Sequence, residues 1–341
     1  LRRHFRNACG KYQRFEQLAT VTPSTTRRQT VTAYLLLLAT VAVWGSTFSI
    51  VKGALRDCSP LLFNQMRMLL AFAALAIIHF REWRRMGREA LKAGAVAGLF
   101  LAAGYELQTA GLTYTTPARS AFLTGMVVVL VPLFTIWPRL RPAGSKRPGF
   151  LPLLGALGAF AGIVLLTTPA GTPLREFTAG INRGDVLSFA CAVAFALHLL
   201  SLAHLARRVP TSHLATLQIG FSALFMSVAT PAIEHTRLHW SGSLVAALFL
   251  CAFLATAAAF SIQSWAQKHL QASHTAMLLA LEPAFALLTA LIFFGESLTV
   301  RSGSGAALIL GSLLASELLS TAVAEQPEAN AAVASNPIHG A

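Results

Sequence analysis

The chain has 341 residues, of which 55% are hydrophobic and only 12% charged, and its mean hydropathy is +0.61. A soluble globular domain carries about 25% charged residues, so the composition points away from one. The formal net charge of +14 would suit a nucleic-acid partner, but the placement of the positive residues argues otherwise.

A membrane-spanning helix needs about 20 mostly apolar residues. Ten stretches of that kind are bounded by charge, Pro or Gly: roughly 33–51, 59–80, 91–112, 118–138, 150–169, 184–203, 213–231, 243–265, 273–294 and 302–320. Period-2 alternation is absent, which argues against an outer-membrane barrel. The first stretch is long enough to span and is expected to be retained rather than cleaved as a signal peptide. The expected organisation is a basic, disordered cytoplasmic tail over 1–32, five helices over 33–169 and an extracytoplasmic linker over 170–183. Five more helices follow over 184–320, then a disordered cytoplasmic tail over 321–341, rich in Ala, Asn and Pro.

Positive residues gather in alternate connections, as the positive-inside rule requires. The N-terminal tail, the 2–3 connection (Arg81, Arg84, Arg85, Arg88, Lys92), the 4–5 connection and Arg207, Arg208 and Lys268 together hold nineteen of the 27 basic residues. The opposite connections hold seven, and Arg67 alone lies inside a helix. Both termini are therefore expected in the cytoplasm, in a multi-pass protein of the cell membrane. The basicity is a topology signal, and no nucleic-acid partner is expected.

Two segments repeat one pattern. Gln108 and Gln263 each lie six residues before a ring, Tyr114 or His269; a small-residue apolar run and an intramembrane proline, Pro132 or Pro283, follow. Each copy occupies the third and fourth of five apolar segments. A duplicated odd-numbered bundle must insert its halves upside down relative to each other, which is carrier architecture. Gly155, Gly158 and Gly162 in the fifth stretch and Gly303, Gly305 and Gly311 in the tenth form small-residue spines suited to close helix packing.

Further residues carry a resemblance. They are Trp44-Gly45-Ser46-Thr47-Phe48, Arg67, Tyr114-Thr115-Thr116-Pro117-Ala118 and Val131-Pro132-Leu133. The second half adds Gly184-Asp185, Leu281-Glu282-Pro283-Ala284-Phe285 and Phe294-Gly295-Glu296-Ser297-Leu298-Thr299. In this order the chain resembles the EamA branch of the drug/metabolite transporter superfamily over about residues 33–320. The resemblance implies an all-α integral membrane fold of ten transmembrane helices in two inverted five-helix repeats. It also implies a carrier of amino acids and other small metabolites, often outward. The small multidrug-resistance relatives carry a glutamate in their first helix; here that helix has no acid, so coupling by that chemistry is not expected.

Intramembrane ionisable groups are costly, about 2.5–3.5 kcal/mol or more at a helix centre, and each needs a reason. Arg67 lies seven residues past Pro60 and Glu106 eight before Tyr114, which puts both about 10–12 Å below the outer end. An ion pair between them is expected, either as a permanent tie between helices 2 and 3 or as a pair that opens to let Arg67 take a substrate carboxylate. Glu282, before Pro283, is expected near the midplane. It reads either as a coupling carboxylate or substrate-ammonium contact, or as a group that satisfies backbone freed by the proline.

Gln108, Gln263 and Ser261 would line a central cavity or serve as interhelical glue, and Trp44, Tyr105, Tyr114 and Phe260 would form its apolar wall. His198 reads as a packed, hydrogen-bonded histidine or as a proton relay. Pro132 and Pro283, with Gly45, Gly104 and Gly125, are hinge candidates. Cys9, Cys58, Cys191 and Cys251 form no CxxC pair, so neither a disulfide framework nor a metal site is indicated. Phosphate loops, HExxH and a nucleophile elbow are absent from the sequence, so neither an enzyme nor a cofactor is expected.

The expected function is movement of a small amino-acid-like or amphipathic metabolite by alternating access, with efflux favoured. A nucleotide-sugar or lipid-precursor carrier of the same fold is the alternative, and a membrane enzyme a more distant one. The expected partners are the small-molecule substrate and the lipid bilayer, with a homodimer left open.

Overall fold

A computed structural model describes residues 27–115, 120, 123–142, 149–167, 182–294, 299–312 and 314–315. The linker 170–181 and the tails 1–26 and 321–341, expected to be disordered in the case of the tails, lie outside these residues. So do Thr116, Pro117 and Ala118 and the segment Gly295–Leu298 of the resemblance motifs.

The described chain is helical, and its one extended pairing is an isolated bridge between Cys58 and Leu238. Helix α1 spans Arg27–Ala54, α2 Pro60–Ile78 and α3 Arg88–Leu112, with a 3-10 turn at Phe80–Arg85 between the last two. Helix α4 covers Val127–Phe134, α5 Phe150–Thr167, α6 Arg183–Leu205 and α7 Thr211–Ile233. Helix α8 runs over Gly242–Ala266 and contains a π-helical turn at Phe253–Ala258. Helices α9, Ala272–Leu279, and α10, Glu282–Phe294, are separated by a two-residue break, and α11 covers 300–312.

These runs become helices because apolar surroundings leave backbone groups no partners but each other. Their starts carry local signals. Pro60 opens α2 where a missing N–H costs nothing, Asn182 and Asp185 form a reciprocal capping box on α6, and the Ser241 hydroxyl accepts from the Leu244 N–H at the start of α8. Helix α1 is already formed at Arg27, ahead of the expected 33, and in this polar basic stretch the Thr32 hydroxyl donates to the Arg28 carbonyl.

Among the described residues, seven helices are long and apolar enough to cross a membrane, with α9 and α10 counting as one run over Ala272–Thr289. Outward-facing Ile77, Val228 and Phe249 are 72%, 69% and 65% exposed. Large apolar side chains standing free on several helices suit contact with lipid tails rather than water. This is a multi-pass membrane protein.

Small residues set the packing. Gly94 and Gly98 on α3 face Leu217 and then Gln218 and Phe221 on α7, so these helices run parallel. Gly104 and Gly111 face Phe195 and then Ser188 on α6, so α3 and α6 run antiparallel. Helix α1 lies along α10: a Cβ on Gly45 would come within 2.6 Å of the Glu282 carbonyl, and the Ser46 hydroxyl lies 3.0 Å from that of Thr289. Gly162 on α5 and Gly305 on α11 approach so closely that a Cβ on either would stand 2.7 Å from the other's carbonyl. Gly311 faces open space, so the expected spine is in use at Gly158, Gly162 and Gly305 and not there.

The connections fall at two ends of the bundle. At the near end, where α1 begins, the Ser212 hydroxyl donates to Glu82, and His79 lies 3.0 Å from the Thr216 hydroxyl. At the far end the Glu234 carboxylate accepts from the N–H groups of Leu61 and Leu62, and the Thr115 hydroxyl donates to Asp185. Helices α2 and α7 are thus pinned to each other at both ends.

Candidate functional site around Arg67

Midway along the bundle, α2, α3 and α8 meet around one guanidinium. Arg67 is 5% exposed. Its Nε and Nη2 donate to the Thr256 hydroxyl at 3.1 and 2.8 Å, and Nη2 also donates to the Tyr105 hydroxyl at 3.3 Å. The guanidinium carbon stands 4.6 Å from the Tyr105 ring centroid, a cation–π contact.

The π-turn of α8 builds this arrangement. The Thr256 hydroxyl donates to the Cys251 carbonyl, five residues back, at 2.8 Å, and so turns its lone pairs toward Arg67. The neighbouring Ala255 carbonyl accepts from Trp44 Nε1 at 2.8 Å, which fixes the indole of α1 over the site. A π-turn widens the helix by one residue and releases backbone groups of this kind; such turns recur at functional sites. On the other side, the Asn64 side chain donates to the Thr109 hydroxyl at 2.7 Å and to the Tyr105 carbonyl at 3.3 Å, setting the register of α3 against α2.

Aromatic rings pack beside Arg67. Trp44 and Phe260 have centroids 5.4 Å apart, and Tyr105 meets Phe195 edge-on at 5.5 Å. His198 packs edge-on against Phe260 at 5.8 Å. The polarity of its ring follows from a chain of hydrogen bonds. Ser264 donates to the Phe260 carbonyl, so its oxygen accepts from Gln218 Nε2 at 2.8 Å. Gln218 then presents Oε1 to His198 Nε2 at 2.9 Å, and that nitrogen must carry the proton. His198 is thus a packed, hydrogen-bonded histidine.

The expected Arg67–Glu106 ion pair is not formed. Both Glu106 carboxylate oxygens are buried with no hydrogen-bond partner among the described residues. Equal depth was not sufficient, because successive residues of a helix point about 100° apart. With Tyr105 turned toward Arg67, its neighbour Glu106 is turned away. Arg67 has no carboxylate partner among the described residues; its contacts are two hydroxyls and a ring.

Glu282 also differs from expectation. It is the first residue of α10, after the break at Ala280 and Leu281, rather than an interior residue of a kinked helix. Pro283 therefore takes a position where its missing N–H is harmless, and the carboxylate sits at the positive end of a short helix. Glu282 is half-buried, makes no side-chain hydrogen bond among the described residues and lies within electrostatic reach of Tyr105. Pro132 lies inside α4.

The structure thus gathers Trp44, Arg67, Tyr105 and, through Phe260, His198. Among the described residues, Gln108 is half-buried with no side-chain hydrogen bond, and the buried Gln263 leaves its carbonyl oxygen unpartnered. Asn64, Thr109, Ser264 and above all Thr256 were not foreseen. A threonine in an apolar run carries no distinguishing signal, and the π-turn that aims it has no sequence signature.

The resemblance residues mark where the two halves cross. Gly45 allows the Glu282 backbone to touch α1, and Gly184 lies against the Gly111 carbonyl and Thr115. The profile of the EamA-like transporter family matches residues 31–168 and 182–316, one repeat in each half. The chain belongs to the EamA-like transporter family. This EamA protein is 33% identical over 275 residues to an uncharacterized transporter of Archaeoglobus fulgidus, covering 80% of this chain and 82% of that one. It is 21% identical over 288 residues to the uncharacterized transporter YoaV of Bacillus subtilis, covering 83% and 94%. A solved crystal structure shares the fold, with a TM-score of 0.69 at 20% identity over 86% of this chain and 99% of the other. The EamA fold therefore supplies the frame in which the Arg67 site stands.

Proposed function

We propose that this EamA protein carries a small amino-acid-like or amphipathic metabolite across the cell membrane by alternating access, outward from the cytoplasm. The cargo binds between α2, α3 and α8 with an anionic group on Arg67. The observation that carries this reading is a buried guanidinium whose partners are all neutral. A charge removed from water is costly unless it is compensated, and an arriving carboxylate would supply that compensation. The rings of Trp44, Tyr105, Phe195 and Phe260 suit an apolar body attached to the charged group. Glu282, at the mouth of α10, offers a contact for an ammonium.

The frame is read as ten spans in two inverted five-helix repeats with both termini cytoplasmic. The α9–α10 run forms one span broken at its middle, as discontinuous helices are in other carriers. Parallel packing of α3 with α7 and of α1 with α10 supports opposed halves. The reading assigns no chemical step and no cofactor. A nucleotide-sugar cargo fits less well, since among the described residues Arg67 alone supplies positive charge at the site.

The test is efflux from cells and proteoliposomes across a panel of amino acids and aromatic carboxylates. Transport of at least one acid that Arg67→Gln lowers tenfold or more, with the variant folded, is expected. Full activity of Arg67→Gln toward every transported compound would remove Arg67 from the site.

A further inference from the structure

Among the described residues, four unpartnered buried polar atoms lie at the near end of α8 and in the turn that follows it. They are the Gln263 carbonyl oxygen, both polar atoms of the Gln267 amide and His269 Nδ1. Gln263 and Gln267 are 2% and 1% exposed. An amide shut away from water without partners costs the full desolvation of its groups, so each such case needs a cause. Packing does not provide one, because a leucine would fill the same space without that cost.

Position provides a cause. Phe260 packs against Trp44 and Tyr105, the rings beside Arg67. Seven residues on, at about 100° per residue, Gln267 returns to within about 20° of the same direction and lies about 10 Å nearer the end. Gln263 falls between them, one turn below Phe260. Thr256, Phe260, Gln263 and Gln267 therefore form one stripe from the Arg67 site toward the near end. Two apolar clusters close that half of the bundle. One joins Val131, Ala196 and Ala276 from α4, α6 and α9, and the other joins Leu37, Ala266 and Leu278 from α1, α8 and α9.

We infer that Gln263 and Gln267 line the near-end passage of the carrier, shut in this conformation. They hydrogen-bond the polar group of the cargo and its accompanying water when α9 and α4 part from α6 and α1. The inference rests on the carrier reading. It adds that the passage runs along α8 and that its ligands are uncharged amides. Cargo leaving the Arg67 cation thus meets uncharged donors and acceptors first.

The test uses single cysteines in a background with Cys9, Cys58, Cys191 and Cys251 replaced by serine. A permanently charged methanethiosulfonate is applied to each side of reconstituted vesicles. Gln267→Cys and Gln263→Cys are expected to react from the near-end side at least tenfold faster than Ala266→Cys, a buried neighbour, and Leu254→Cys, which faces lipid. Reaction at Gln267→Cys no faster than at Ala266→Cys, in protein that is folded and still transports, overturns the passage while the carrier reading stands. Rapid labelling in protein that transports nothing in the cargo panel leaves a water-filled path and removes the carrier reading. Absence of both labelling and transport removes both. Gln267→Leu supplies a second measurement: at least tenfold slower transport with unchanged or raised thermal stability is expected, and an unchanged rate counts against the passage.

Discussion

Arg67 reaches across the bundle to Thr256, 2.8 Å away on the π-turn of α8, and not to the carboxylate on the neighbouring helix. The cation that a linear reading pairs with Glu106 is held by neutral groups in the folded protein, and its charge remains available.

Thr256→Val keeps the shape of the side chain and removes the acceptor. Two donors of a buried guanidinium would then lack a partner, at a cost of about 1–3 kcal/mol. A lower unfolding temperature and at least tenfold weaker transport are expected, with Thr256→Ser restoring both. Thermal unfolding in detergent and proteoliposome flux read the two effects.

A double-mutant cycle of Arg67→Gln and Glu106→Gln tests whether the two residues communicate. Groups with no shared partner are additive within about 0.3–0.5 kcal/mol. Additive changes in stability are expected, with Glu106→Gln by itself neutral or stabilising because its carboxylate oxygens have no partners to lose. A coupling well above that range would show that the two side chains do meet.

Gly162→Ala and Gly311→Ala alter two members of the same small-residue pattern in opposite ways. A Cβ on Gly162 would stand 2.7 Å from both the Gly305 carbonyl and an Ile309 side-chain carbon, whereas one on Gly311 meets nothing within 4 Å. Overpacking costs about 1–3 kcal/mol, while a helical glycine replaced by alanine in open space gains up to about 1 kcal/mol. Thermal stability should therefore fall in the first variant and hold or rise in the second.

Cys58, at the far end between α1 and α2, is pushed up to about 11, first by burial and then by the nearby Glu234 carboxylate, with Arg237 opposing. The unfolded thiol ionises at 9.0 while the folded one remains protonated to about 11, so its contribution to stability is intact below pH 9 and lost as pH rises between these values. With Cys9, Cys191 and Cys251 replaced by serine, alkylation of the folded protein at pH 8 is expected to be at least tenfold slower than after unfolding. Equal rates would show that the thiol is neither buried nor raised.

The two repeats, the alternate placement of basic connections and the motifs of the resemblance were readable along the chain because hydrophobic period and charge are local properties. So was the prominence of Arg67 and Glu282, since charges are rare and costly in apolar stretches. What each one faces was not readable. Glu106 and Tyr105 are adjacent in sequence and point about 100° apart, and only the packing of α3 between α6 and α7 selects which of them turns toward Arg67.

The π-turn shows the same division more sharply. Residues 253–258 read Phe-Leu-Ala-Thr-Ala-Ala, an ordinary apolar run. Nothing in that composition distinguishes a π-turn from an α-turn. Tertiary partners hold the turn: Trp44 donates to the released Ala255 carbonyl, and Arg67 donates to the Thr256 side-chain hydroxyl. Sequence by itself determined that this chain crosses a membrane as a duplicated helical carrier scaffold, because apolar length and repetition demand it. The tertiary structure decided that neutral groups rather than a carboxylate hold Arg67, which hydroxyl does so and which amides lie buried without partners, because these depend on helix rotation, set by contacts between residues far apart in the chain.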